Sequence, residues 1–275
     1  MPYNRGRIVR YFERKSLVCL HRILLSLIID AHAGGAGGSE QRVELILKFL
    51  GMLHIDRAIT WNIPRNRAEM GKNNDMTARF VAQHKDNLIG FASVDPNAKE
   101  EAIRELSRAI KELGLVGLKI HPLVSKVPIN HPSVLALVET AKDLDIPVLF
   151  HVDSPDLHTA NETQENVDRE WNLASSNLVD DVVAIYNSPK VWCAHMGGVT
   201  RKSLQESKVS FQTTGCSVAT IEHAVDVVGP DRIMYGSDYP FFSPMDEIAK
   251  VWRASISDTA RTNILGGNVQ RLLGL

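Results

Sequence analysis

The sequence predicts an α/β protein built as a single, distorted (β/α)8 (TIM) barrel. Short apolar runs alternate with segments of helical period, and this unit occurs eight times over about 250 residues, which is the size of such a barrel. Regular alternation of strand and helix implies a parallel sheet with right-handed crossovers. The rival fold is an open doubly wound sheet, and it has less support because no GxGxxG turn follows an early strand.

Helix start and stop signals separate the strands in the first half of the chain. Ser39 can cap a helix over 40–53, and a helix over 98–113 with apolar residues at helical spacing stops at Gly114. Pro122 stops the fourth strand. The strands predicted here cover residues 27–32, 57–61, 88–94 and 116–121, with a further helix near 75–85.

The second half repeats the same unit four times. Strands are predicted over 147–151, 190–195, 209–214 and 232–237, and helices near 133–144, 172–187, 200–206, 219–228, 245–255 and 258–273. A polar stretch over 153–170 is the longest loop, and long loops at this end of a barrel often act as lids.

Composition and charge bound the function. A net charge of −1 gives no field that would attract nucleic acid or a membrane surface. Three cysteines make no disulfide framework, which favours a reducing cytoplasm. Residues 1–26 are interpreted as a basic N-terminal extension rather than a targeting peptide, because His21 and Arg22 interrupt its apolar part. The barrel domain is assigned to 27–275.

Several predicted strands end in side chains that bind metals. The strand-end residues are His32, His121, His151, His195 and Asp238. In a (β/α)8 barrel these ends form the active-site face. A carboxylate at the end of a buried strand is costly unless it is paired, and imidazole with carboxylate suits Zn²⁺ or a similar divalent ion. The sequence therefore predicts that these groups converge on one metal ion.

Lys119 and His121 are two residues apart on one predicted strand, so both side chains face the barrel interior. Two interpretations remain open: they bind a substrate carboxylate, or Lys119 pairs with a core carboxylate such as Asp30. Cys193 shares its predicted face with His195 by the same alternation and is interpreted as packing. Trp61 ends the second strand and either lines the pocket or packs in the core.

Six stretches carry a family resemblance. They are Ile29-Asp30-Ala31-His32, Gly117-Leu118-Lys119-Ile120-His121-Pro122, Pro147-Val148-Leu149-Phe150-His151, Ala194-His195-Met196-Gly197-Gly198, Arg232-Ile233-Met234-Tyr235-Gly236-Ser237-Asp238-Tyr239-Pro240 and Ile264-Leu265-Gly266-Gly267-Asn268. In this order they resemble the amidohydrolase-related branch of the metal-dependent amidohydrolase superfamily, which contains decarboxylases as well as hydrolases.

The resemblance implies residue roles. His32, His151 and Asp238 would hold one divalent metal, zinc or alternatively manganese, and His195 and Asp238 would be catalytic. Lys119 and His121 remain candidates for substrate binding on the strand alternation given above, and not through the resemblance. The family's His-x-His motif departs here, because Gly34 replaces the second histidine. This removes a ligand and is expected to open space for a larger substrate or an extra water.

The leading expectation is a hydrolase that uses metal-activated water on a small carboxylate-bearing ester, lactone or amide. The alternative is a decarboxylase of the same branch, and a second alternative is a non-catalytic barrel that has lost its metal through Gly34. The expected partner is a small-molecule substrate, with no nucleic acid and no membrane. The resemblance further implies a homodimer.

Overall fold

The computed structural model describes residues 27–35, 39–152, 186–196 and 207–275. The basic extension 1–26, the loop 153–170 and the helices predicted over 172–187 and 200–206 lie wholly or almost wholly outside these ranges. Within the described ranges no helix combines the length and apolar character needed to cross a membrane.

The strands form a ring of parallel neighbours and confirm the predicted barrel. They are β1 (Ile29–Asp30), β2 (Arg57–Thr60), β3 (Leu88–Gly90), β4 (Ala92–Ser93), β5 (Leu118–Ile120), β6 (Val148–Phe150), β7 (Val191–Cys193), β8 (Ser210–Gln212) and β9 (Ile233–Met234). Each pairs with its neighbour in chain order, except that Phe91 separates β3 from β4. These two are halves of the predicted third strand. The amide of Ala31 donates to the carbonyl of Tyr235 (2.9 Å) and links β1 to β9.

Helices follow the strands and cover the outside of the ring. The described helices are α1 (Glu40–Leu53), α2 (Met70–Gln83), α3 (Glu100–Lys111), α4 (Pro122–Ser125), α5 (Pro132–Asp143), α6 (Val218–Val228), α7 (Pro244–Arg253), α8 (Asp258–Thr262) and α9 (Asn268–Leu273). Ser39 caps α1 as predicted. Helix α2 begins before the predicted 75–85, because Asn66 caps a short turn ahead of it by accepting from Ala68 (3.0 Å).

The apolar side chains form two layers. Alternate strand residues point outward and pack against the helices, and the rest fill the barrel interior. The interior layer consists of Ile29, Ala31, Ile59, Trp61, Ile89, Phe91, Leu149, Trp192, Ala194, Met234 and Val269. A packed interior leaves the C-terminal ends of the strands as the place where polar groups can gather.

Candidate active site

The predicted site residues lie at the C-terminal end of the barrel. Lys119 lies within β5, and the others follow their strands: His32 after β1, His121 after β5, His151 after β6, His195 after β7 and Asp238 after β9. The ring of strands brings these positions together although they are far apart in sequence. Their roles stay predictions, and their geometry is described below.

His32 and Asp238 form the closest pair of the site. The Nε2 atom of His32 lies 3.4 Å from Oδ1 of Asp238, and their side chains are 2% and 14% exposed. The backbone amide of Asp238 donates to the carbonyl of His32 (2.5 Å), which fixes the two chain segments against each other. The His32 ring also lies tilted against Trp61, with ring centroids 5.0 Å apart. Trp61 therefore lines the site as well as the interior core.

Asp30 ties together the segments that carry this pair. Its carboxylate accepts from the backbone amides of His32 and Ser237 (3.0 Å each) and from the Ser237 hydroxyl (2.5 Å). Burial raises the pKa of Asp30 to about 6 against the lowering effect of these hydrogen bonds. The predicted alternative, an ion pair between Asp30 and Lys119, is not formed in the described part of the chain, since Nζ of Lys119 has no hydrogen-bond partner there.

His195 is oriented by a backbone carbonyl. Its Nδ1 lies 3.2 Å from the carbonyl oxygen of Thr214, which can only accept, so Nδ1 carries the proton and Nε2 keeps its lone pair. That Nε2 atom lies 3.9 Å from Oδ2 of Asp238. The backbone of His195 is left-handed (φ 55°). The predicted strand alternation therefore breaks after β7, and Cys193 packs in the outer layer instead of sharing the face of His195.

His121 and His151 are neighbours on adjacent strands. Their rings stack with centroids 4.0 Å apart and planes 9° apart. The His151 ring meets that of His195 edge to face at 4.8 Å. The four imidazoles therefore form one continuous group, in which His32 and His195 are 5.5 Å apart.

Lys119 lies beneath this group with 1% of its surface exposed. Its Nζ lies 4.9 Å from the centre of the Trp61 ring, which gives a cation–π contact. Within the described residues Nζ has no hydrogen-bond partner. A buried ammonium in this state favours an anionic ligand, because leaving such a group unsatisfied is costly.

Burial and mutual charge shift the titration of the site. Burial lowers the pKa of His32, His121 and His151 well below the usual value, and the positive charge of Lys119 adds to the effect. Burial lowers the pKa of His195 to about 3. Burial also lowers the pKa of Lys119 and raises that of Asp238, while the attraction between the two opposes both shifts. The imidazoles are therefore neutral near pH 7, which is the form that binds metals.

Gly34 does not open space, contrary to the prediction. A Cβ atom added there would lie 2.0 Å from the carbonyl oxygen of Tyr239, and the backbone φ is +75°. The carbonyl of Tyr239 therefore fills the position where a second histidine side chain would begin. The missing ligand is replaced by backbone packing and not by a cavity.

The imidazole nitrogens and the Asp238 carboxylate are donors of the kind that bind a divalent ion, and one pair of them has the spacing of two metal ligands. Two ligands of one tetrahedral Zn²⁺, at about 2.0–2.2 Å each, lie about 3.4 Å apart, and Nε2 of His32 and Oδ1 of Asp238 are 3.4 Å apart. In the described ranges no three His, Cys, Asp or Glu side chains are already gathered around one point. The third ligand that the resemblance implies is His151, whose ring lies edge to face against that of His195 with centroids 4.8 Å apart.

Sequence reasoning missed two groups that shape the site. Thr214 orients His195 through its backbone carbonyl, and only its place at the end of the seventh predicted strand pointed to the site. Asp30 was considered as a partner of Lys119, whereas it joins His32 to Ser237. The sequence signal for this role was the position of Asp30, two residues before the strand-end His32.

Comparisons with known proteins identify the family. The chain matches the amidohydrolase family over residues 29–170 and 175–275. A 2-amino-3-carboxymuconate-6-semialdehyde decarboxylase from Dictyostelium discoideum is 24% identical over 253 residues, covering 78% of this chain and 69% of that protein. A gamma-resorcylate decarboxylase from Polaromonas sp. is 28% identical over 249 residues, covering 74% of this chain and 75% of that protein.

A solved structure shows the same fold. It is a dihydroxybenzoic acid decarboxylase from Polaromonas sp. with bound manganese and the inhibitor 2-nitroresorcinol. It superposes with a TM-score of 0.68 at 21% identity, over 91% of this chain and 97% of that one. The family match extends over most of the sequence and includes every residue of the candidate site. The protein belongs to the amidohydrolase family.

Proposed function

We propose that this protein is a metal-dependent decarboxylase acting on a small aromatic or unsaturated carboxylate. The observation that carries the proposal is the contact of Asp238 with both His32 (3.4 Å) and His195 (3.9 Å) above the buried ammonium of Lys119. The sequence analysis ranked hydrolysis first. The names of the two curated relatives, both decarboxylases, support the reverse order.

The residues that would hold the metal are His32, His151 and Asp238. Gly34 cannot contribute, because it has no side chain and Tyr239 blocks one. The chemistry expected from a divalent ion at this place is polarisation of a substrate oxygen. Zinc was predicted with manganese as the alternative, and the manganese bound in the related structure makes manganese the first metal to test.

The substrate carboxylate is assigned to Lys119, whose Nζ is buried and has no hydrogen-bond partner among the described residues. Trp61 would pack against the planar part of the substrate, since its ring already contacts both Lys119 and His32. His121 stays a candidate for the same substrate group. Burial of this pocket strengthens each charge–charge contact by excluding water.

Decarboxylation breaks the bond between the carboxylate and its carbon, and the electron pair stays on that carbon. CO₂ leaves, and the carbon takes up one proton. The groups that can hold that proton next to a buried substrate are Asp238 and Nε2 of His195, which lie 3.9 Å apart. Hydrolysis needs the same two groups for water, so the amidohydrolase family match keeps it as the second candidate.

Product analysis separates these functions. Metal-free protein would be loaded with manganese or zinc and incubated with gamma-resorcylate, related aromatic carboxylates, esters and lactones. Release of CO₂ with loss of the carboxylate would support the proposal, and release of an acid without CO₂ would support hydrolysis. His151→Ala and Asp238→Asn should lose the activity. His223→Ala, which changes an exposed histidine of α6, serves as the matched control.

A protein that takes up neither metal, and turns over none of these compounds, would support the non-catalytic barrel. The small-molecule substrate, the homodimer and the cytoplasmic location stay predictions in all three cases.

A further inference from the structure

We propose that His121 is a positioning residue: its ring holds the ring of His151 in the plane from which His151 binds the metal. This inference rests on the proposed metal site and adds a residue to it. In this inference His121 orients a metal ligand and does not bind the substrate, which is the role that the sequence suggested. The observation behind it is the stack of the two rings, 4.0 Å apart and 9° from parallel.

The stack prevents both histidines from binding the same ion. An imidazole nitrogen directs its lone pair within the plane of the ring. Since the two rings are stacked 9° from parallel with their centroids 4.0 Å apart, one ion cannot lie in both ring planes at the zinc–nitrogen bonding distance of about 2.0–2.1 Å. Only one ring of the pair can be a ligand. The resemblance assigns that role to His151, so His121 needs another explanation.

Strand pairing and the following proline hold the backbone of His121 beside that of His151. Strands β5 and β6 pair in parallel register, with Ile120 opposite Phe150. The amide of His151 donates to the carbonyl of Ile120 (2.9 Å), which places His121 and His151 side by side. Pro122 follows at the start of α4, and a residue before proline is restricted to extended backbone. His121 has that backbone, at φ −127° and ψ 97°.

The His151 ring also contacts the ring of His195. The His151 ring meets the His195 ring at 75° with centroids 4.8 Å apart. His151 therefore lies between a parallel ring on one side and a perpendicular ring on the other. Rotation of the His151 ring about its Cβ–Cγ bond would change the tilt of its plane and so disturb both ring contacts. Groups that fix the orientation of a ligand are known to act on metal affinity through that ligand.

Phenylalanine at position 121 separates stacking from nitrogen chemistry. His121→Phe keeps a flat ring and removes both nitrogens, whereas His121→Ala removes the ring. The affinity for Mn²⁺ would be measured by electron paramagnetic resonance titration of the metal-free full chain, and metal content by elemental mass spectrometry. His121→Ala should weaken Mn²⁺ binding by about 10- to 100-fold, the usual cost of losing an outer-sphere partner. His121→Phe should bind within the same order of magnitude as the wild type.

The outcomes are distinct. A folded His121→Phe protein that binds metal as weakly as His121→Ala would overturn the inference, because a nitrogen of His121 would then be required. Unchanged affinity in both variants would also overturn it and would leave His121 to the substrate. If His121→Ala does not fold, His121→Leu, which keeps an apolar side chain without a flat ring, takes its place, and wild-type Mn²⁺ affinity in both His121→Leu and His121→Phe would overturn the inference. A wild type that binds no Mn²⁺ or Zn²⁺ would instead refute the proposed function itself. His223→Ala should behave as the wild type throughout.

Discussion

The contact between Gly34 and Tyr239 makes a quantitative prediction about stability. An alanine at position 34 would place its Cβ 2.0 Å from the Tyr239 carbonyl oxygen in a backbone with φ +75°. The left-handed backbone alone costs a non-glycine residue about 1–2 kcal/mol. Forcing an extra methyl group into a packed region adds about 1–3 kcal/mol. Gly34→Ala should therefore lower the free energy of unfolding by about 2–5 kcal/mol.

Two other glycines separate the backbone cost from the steric cost in the free energy of unfolding. Gly114 has a similar backbone (φ +72°) but nothing within 4 Å of an added Cβ, so Gly114→Ala measures the conformational cost alone. Gly51 lies in α1, also with nothing within 4 Å. Gly51→Ala should stabilise the helix by about 0.5–1 kcal/mol. The difference between Gly34→Ala and Gly114→Ala is then the cost of the Tyr239 contact.

Urea unfolding followed by tryptophan fluorescence provides the measurement, with free energies compared at the midpoints using a common slope. The reasoning would be refuted if Gly34→Ala were no less stable than Gly114→Ala. In that case the turn around Tyr239 would yield to a side chain, and position 34 would be able to accept a ligand.

Three further predictions concern the buried charges. Lys119→Met removes a buried ammonium that has no hydrogen-bond partner among the described residues, so urea unfolding should show a gain of about 1–3 kcal/mol while CO₂ release is lost. Because burial lowers the pKa of Lys119, the unfolded chain binds more protons above neutral pH. The stability of metal-free wild type should therefore rise with pH from neutrality to about pH 8.5, the ordinary cysteine pKa, and Lys119→Met should lack that slope. Above that pH the buried thiol of Cys193, whose pKa burial raises, opposes the rise. Asp30→Ala leaves the buried donors of Ser237 and His32 without an acceptor, at about 1–3 kcal/mol each, and Asp30→Asn should lose less in the same assay because one oxygen remains.

The barrel and the position of its site could be predicted because both follow from short-range patterns. Apolar runs that end in histidine or aspartate define strands and their C-terminal ends, and barrel closure alone then brings His32 beside Asp238. The break at Phe91 was not predictable in the same way. Phe91 still donates to the carbonyl of Thr60 in β2 (2.9 Å), whereas the next amide, that of Ala92, donates to Gly117 on the other side, just before β5 (2.7 Å).

The direction in which a side chain points after its strand has ended could not be predicted from the sequence either. Alternation predicts faces only while the chain stays extended. After β7 the backbone of His195 turns left-handed and its Nε2 atom lies near Asp238, although Cys193, two residues earlier, packs in the outer layer. A long-range contact, the carbonyl of Thr214 with Nδ1 of His195 (3.2 Å), holds the ring in this orientation.

One turn, the one after β9, contacts both Gly34 and His32. The turn after β9 places the amide of Asp238 on the carbonyl of His32 (2.5 Å) and the carbonyl of Tyr239 against Gly34. A side chain at position 34 would push this turn outward and so move Asp238 away from His32. Histidine at position 34 and the 3.4 Å pair of His32 and Asp238 are therefore alternatives in this backbone.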